Sequence, residues 1–250
     1  MKRISGIVDV PGMGQNLTDT VLTDVKNYRG DYMTDIIILV DASWSIANEW
    51  KVDYSPEIKR ALVNIKNALL NTKEADSIRV CVMHFGERVP TQLDFVPLDK
   101  MDTSYTADQG QTRIYQSLCV ANNLLLQHVD AMEKKNVYVT AQVMVMTDGA
   151  NVGGWEFEDD AKDVVKSLHG KETIFSWICI GPKAQQCARG LGLFDREILT
   201  VEKTDDPHEF RQHVAMASAS AIAQSQKAAG VSSTASSGAA SAALKWAIDD

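Results

Sequence analysis

Hard oxygen donors recur at three separated places in this chain: Asp41, Ser43 and Ser45 within Asp41-Ala42-Ser43-Trp44-Ser45, Thr112 shortly after Gly110, and Asp148 within Thr147-Asp148-Gly149. Carboxylate and hydroxyl oxygens suit Mg²⁺ or Mn²⁺, with Ca²⁺ behind them, whereas Zn²⁺ and Cu²⁺ prefer His and Cys. Hydroxyls are neutral, so a divalent cation that meets both Asp residues only through water keeps excess positive charge. A carboxylate on a partner protein would complete such a site. Taken singly, each piece has a plainer reading, because an Asp at a strand end is often a helix N-cap or turn former and Ser-rich turns are common. Together, at one edge of one sheet, the pieces point to a cation site.

That common edge follows from the elements that carry them. Asp35-Ile36-Ile37-Ile38-Leu39-Val40 is a β-branched run suited to a strand buried on both faces of a parallel sheet, and Asp41 ends it. Val143-Met144-Val145-Met146 repeats the pattern and leads to Asp148. In open α/β sheets the ligand crevice lies outside the carboxyl ends of the strands, where strand order reverses. Two acids delivered there from different strands would face one cleft.

The D-x-S-x-S pattern of Asp41, Ser43 and Ser45, Thr112 in Gly110-Gln111-Thr112-Arg113-Ile114, and Asp148 in Thr147-Asp148-Gly149 resemble the metal-ion-dependent adhesion site of the von Willebrand factor A family. The resemblance covers roughly residues 34 to 222. It implies that Ser43 and Ser45 ligate the cation directly, that Thr112 does so directly or through water, and that Asp41 and Asp148 hold coordinated waters. It also implies an α/β, doubly wound, mostly parallel six-stranded sheet with one antiparallel edge strand and helices on both faces. The family usually has Gly at the fourth position of the first motif, where this chain has Trp44. Trp44 is either a hydrophobic contact for a partner beside the metal or a side chain folded back onto the sheet edge.

Composition bounds the function. With 250 residues, 45% hydrophobic residues and a net charge of −8, the chain has room for one large α/β domain and no basic run suited to nucleic acid. No segment approaches the ~20 apolar residues of a membrane span, and residues 1 to 34 lack the apolar stretch of a signal peptide, so the expectation is a cytoplasmic protein with no membrane partner. The four cysteines, Cys81, Cys119, Cys179 and Cys187, are widely spaced and read as free thiols, with Cys187 the one exposed enough to react.

Along the chain, an N-terminal extension over 1–33 precedes the predicted domain over 34–226. Apolar residues Ile58, Ala61, Leu62, Ile65, Ala68 and Leu69 recur at helical spacing over 55 to 71. Strands are expected at Ile78 to Phe85, at 137 to 147, at Thr173 to Ile180 and near Glu197 to Val201, with Arg88 to Val96 as an antiparallel edge strand. The polar stretch Lys100 to Gln111 suits a surface loop delivering Thr112. Helices follow on Ile114, Leu118, Ala121, Leu125 and Val129, near Ala184 to Leu191, and on Phe210, Val214, Ala217 and Ala221. Gly153 and Gly154 suggest a mobile loop that places Trp155 on the rim beside Trp44, although Trp155 reads equally as the hydrophobic staple of the next helix. Glu156, Glu158, Asp159 and Asp160 read as a solvated first helical turn.

Beyond Gln226 an Ala/Ser/Gly-rich linker and tail run over 227–250. The tail ends in an apolar segment around Trp246, read either as a docking peptide or as an unstructured end.

Two functions compete. The first is a metal-dependent protein-interaction module, not an enzyme, in which a partner Asp or Glu completes the cation's coordination and Trp44, Trp155 and Trp246 contact partners. Element order, Phe85-Gly86 and the Ser-rich last helix are most similar to intracellular bacterial and phage proteins of the tellurite-resistance (TerY-like) type. That similarity implies a stress-response or defence system with a kinase and phosphatase or an ATPase as further components. The alternative is a metal-dependent hydrolase or phosphotransferase using the same Asp pair. It needs an activated base or nucleophile, for which His84 at a strand end is a weak candidate, and no Gly-rich phosphate loop or nucleophile elbow is present.

Overall fold

The structure, a computed structural model, describes residues 6–13, 24–48, 53–91, 93–171, 173–204 and 206–228. The β-branched run forms β1 (Tyr32–Asp41), and its alternating side chains feed two cores. Ile36, Ile38 and Val40 point to one face and Ile37 and Leu39 to the other, all fully buried. β2 (Ile78–Phe85) and β4 (Tyr138–Thr147) pair with β1 on either side, both parallel to it. β5 (Ile174–Ile180) and β6 (Ile198–Val201) continue the parallel sheet, and β3 (Val96–Pro97) closes the far edge antiparallel to β2. The six-stranded order β3-β2-β1-β4-β5-β6 is the expected doubly wound arrangement, with its reversal between β1 and β4.

Between the strands run α1 (Trp44–Asn48), α2 (Ser55–Leu70), α3 (Ile114–Glu133), α4 (Glu158–His169), α5 (Pro182–Gly190) and α6 (Pro207–Ala228). The apolar stripe anticipated for α2 is the face it buries, and Pro56 in its first turn pre-sets the helical φ. Leu62 and Ile65 of α2 share a core with Phe210, Val214 and Ala221 of α6 on one sheet face. Leu118, Leu125, Val164 and Ala188 from α3, α4 and α5 cover the other. None of the described helices is long and apolar enough to cross a membrane.

Several expectations need correction. The edge strand is two residues, Val96–Pro97, not Arg88 to Val96; within the expected segment Pro90 lacks the N–H that a longer ladder requires. Cys187 is buried, not exposed: with Ala184 and Ala188 it forms the face of α5 that packs on the sheet. The Lys100 to Gln111 segment is not wholly a surface loop, since Met101 and Tyr105 are buried. Gly153 and Gly154 supply left-handed turns (φ +90° and +63°) in a loop that Asn151 pins, its Oδ1 accepting from the Tyr115 N–H and its Nδ2 donating to the Gly153 carbonyl.

Part of the N-terminal segment is also placed. Asn123 on α3 mimics a strand neighbour toward Val8, donating from Nδ2 to its carbonyl at 2.7 Å and accepting its N–H at 2.9 Å, and Val10 is buried in the core. Trp246 and the rest of 229–250 lie outside the described residues.

Candidate metal centre

β1 and β4 deliver their acids to the same edge of the sheet at the point where strand order reverses. Asp41 ends β1 and is held at three points. Its Oδ1 accepts the Ser43 N–H at 2.9 Å, its Oδ2 accepts the Thr147 hydroxyl at 2.6 Å, and its carbonyl accepts the Tyr105 hydroxyl at 2.5 Å. The Ser43 and Ser45 hydroxyls lie 2.9 Å apart, and Ser45 donates to Asp148 Oδ1 at 2.8 Å. A hydroxyl has one proton, so Ser45 spends its own on Asp148 and accepts from Ser43. Both serine oxygens therefore keep lone pairs for a cation.

Thr112 joins from the loop before α3. Its carbonyl accepts the Val152 N–H at 2.7 Å, and a methyl group placed on Gly149 would stand 3.7 Å from the Thr112 hydroxyl, so the side chain lies against the residue that follows Asp148. A two-way strap positions that loop. Gln109 N–H donates to the Ala42 carbonyl at 2.9 Å, and Trp44 N–H donates to the Gln109 carbonyl at 2.8 Å. The strap crosses directly over Gly86, where any Cβ would fall 2.5 Å from that of Gln109.

Asp41, Ser43, Thr112 and Asp148 are all buried, and Ser45 is half-buried. Burial and then the neighbouring Asp148 carboxylate push the Asp41 carboxyl up to about 7, against hydrogen bonds from Thr147 and Ser43 that pull it down. Two buried carboxylates set side by side favour a cation between them. The donor set fits a hard divalent ion because it is all oxygen.

The rim carries exposed apolar surface. Trp44 opens α1 with its indole 60% exposed and is not folded back onto the sheet edge. Trp155 is 59% exposed and edges against Tyr115, while Phe157, the N-cap residue of α4, is buried. His84 packs edge-on against Tyr105 with its Nε2 unpartnered, and burial lowers its pKa.

Three contributors escaped the sequence reading. Tyr105 and Asn151 fix loops by single long-range hydrogen bonds, and Lys203 donates to Asp148 Oδ2 at 3.0 Å from the segment after β6. No short motif marks any of them, because each role depends on which distant loop folds over the site.

With this geometry in place, comparison with known proteins defines the fold as von Willebrand factor A-like. No protein-family model matches the chain. It is 24% identical over 195 residues to the human collagen alpha-5(VI) chain, a match spanning 70% of this chain and 7% of that protein. Among solved structures it is similar to the pilus adhesin SpaC of Lactobacillus rhamnosus GG, with TM-score 0.55 and 11% identity over 78% of this chain and 31% of that one. It is also similar to proximal thread matrix protein 1 of the mussel byssus with a zinc-occupied MIDAS motif (metal-ion-dependent adhesion site), with TM-score 0.50 and 19% identity over 76% of this chain and 48% of that one. The chain thus spans less than half the length of these relatives.

Proposed function

We propose that this chain is a metal-dependent protein-interaction module and not an enzyme. Ser43 and Ser45 hold a Mg²⁺-type cation directly, Thr112 directly or through water, and Asp41 and Asp148 through water. The bound ion offers a partner's Asp or Glu carboxylate a coordination position. The observation that carries this reading is the hydrogen-bonded chain from Ser43 through Ser45 to Asp148 beside the buried Asp41, which gathers both carboxylates and the hydroxyl lone pairs at one point. The adhesin and matrix proteins of like fold, one with a metal-occupied adhesion motif, support it.

Trp44, Trp155 and the exposed Val152 stand on the loops leaving β1 and β4 and supply apolar contact around the carboxylate. Trp246 belongs to the same proposal as a tail contact. A hydrolytic or phosphotransfer role gains nothing from the geometry, because His84 packs on Tyr105 and pairs with no nucleophile among the described residues. The intracellular setting, and a stress-response system containing a kinase and phosphatase or an ATPase, rest on the TerY-like resemblance; the four free, buried thiols suit a reducing compartment.

The test is capture of a partner from cell extract on the immobilised protein in Mg²⁺ and its release by EDTA. Asp41→Ala, Ser45→Ala and Thr112→Ala are expected to capture nothing while remaining folded. Undiminished capture by all three, or capture that survives EDTA, would overturn the coordination mechanism.

A further inference from the structure

Lys203 occupies a position that the donor set alone does not call for. It follows β6 by two residues, and its ammonium donates to the oxygen of Asp148 that Ser45 leaves open, 3.0 Å away. The side chain is only 14% exposed and its carboxylate partner is fully buried. Its path is prepared by Gly181 at the end of β5. Gly181 donates its N–H to the Val201 carbonyl and adopts φ +90°, and a Cβ there would lie 3.4–3.5 Å from Lys203 Cγ, Cδ and Cε. The aliphatic stem therefore runs across a bare backbone, and the charge ends on a residue of the candidate centre.

The charges decide what this does. Asp41 and Asp148 ionised carry two negative charges, and Lys203 sets a positive charge beside them from within the protein. A divalent cation held through water by the two carboxylates already keeps excess positive charge; Lys203 beside it makes the loaded site more positive still. In a pocket poorly screened by water, that excess weakens cation binding and strengthens the pull on an anion.

Building on the reading above, we infer that Lys203 is a tethered counter-ion that couples cation occupancy to an anionic ligand. It lowers affinity for the cation alone and makes the loaded site favour a carboxylate. Metal and partner then bind as a pair, and the unpartnered protein holds its cation loosely.

The experiment titrates the full chain with Mn²⁺, followed by electron paramagnetic resonance, in the absence and presence of acetate as the carboxylate probe. Wild type is compared with Lys203→Met, Lys203→Arg and Ser45→Ala. Lys203→Met should bind Mn²⁺ alone about tenfold tighter or more and lose most of the tightening that acetate gives wild type, whereas Lys203→Arg should behave as wild type. In EDTA, Lys203→Met should melt below wild type, its carboxylates having lost their counter-ion, and Mn²⁺ should restore it. If wild type binds Mn²⁺, Ser45→Ala does not, and Lys203→Met binds no tighter than wild type, the coupling role is wrong and the metal centre stands. Binding no better than Ser45→Ala in every protein would overturn both.

Discussion

The Ser45 hydroxyl is the narrowest point of the candidate centre, because one proton on one oxygen ties the β1 loop to Asp148. Removing it should cost the cation site far more than the fold. Ser45→Ala is expected to reduce Mn²⁺ affinity by at least about a hundredfold while shifting stability by about 1 kcal/mol, the net worth of a hydrogen bond, as read by titration and by urea denaturation. Asp41 adds a pH signature. Its folded carboxyl sits at about 7, above the unfolded value. The folded state therefore holds that proton more tightly, and the contribution to stability is greatest in acid and is lost as pH rises from the ordinary carboxylate range through about 7. Asp41→Asn, which cannot ionise, should gain in melting temperature relative to wild type between pH 5 and pH 8 in EDTA; a constant difference would count against it. The residues the structure brings together here were legible because Asp41 and Asp148 close or follow apolar strands and the three hydroxyls fall at the spacing of an ordered motif. Lys203, Tyr105 and Asn151 were not, since an isolated Lys, Tyr or Asn acquires its role only from tertiary contacts.

Among the elements, the strap through Gln109 decides where Thr112 lies. It pairs with the backbone of Ala42 and Trp44, is anchored by the buried Tyr105, and needs Gly86 bare beneath it. Gly86→Ala would force a methyl against the Gln109 Cβ at 2.5 Å, a contact that only backbone displacement relieves. The expected outcome is weakened Mn²⁺ binding together with about 1–3 kcal/mol of destabilisation, measured by titration and chemical denaturation on one preparation. Tyr105→Phe, which keeps the ring and loses only the hydroxyl, should show a milder version of both effects. The parallel strands were readable from sequence because burial on both faces demands unbroken apolar runs. The edge strand was overdrawn because alternation of residue types is a weak signal where a proline, Pro90, interrupts the segment, and α1 is too short, at five residues, to show a period.

Across the whole molecule, a buried ion pair and the candidate metal centre sit toward opposite ends of β1. Near its start, Asp35 Oδ2 meets His128 Nδ1 of α3 at 2.7 Å with both side chains fully buried, beneath the stacked ring of Phe95. Burial raises the Asp35 carboxyl while His128 opposes the rise. Removing one partner strands the other, so His128→Leu should destabilise the fold by about 3–5 kcal/mol, whereas His128→Leu combined with Asp35→Val should recover much of that loss. Metal affinity should be unchanged in either variant that still folds, since the pair lies far along the strand from Asp41. This pair was invisible in the sequence, where the residues stand 93 positions apart. The four cysteines have a practical consequence of their own. Burial pushes Cys81, Cys119 and Cys179 up to about 12 and Cys187 up to about 11, so the thiolates that alkylating reagents attack are scarce at neutral pH. The native chain is therefore a quiet background for maleimide labelling, and a single Trp44→Cys substitution would place one fluorophore at the rim, without removing any natural cysteine, to watch a partner arrive.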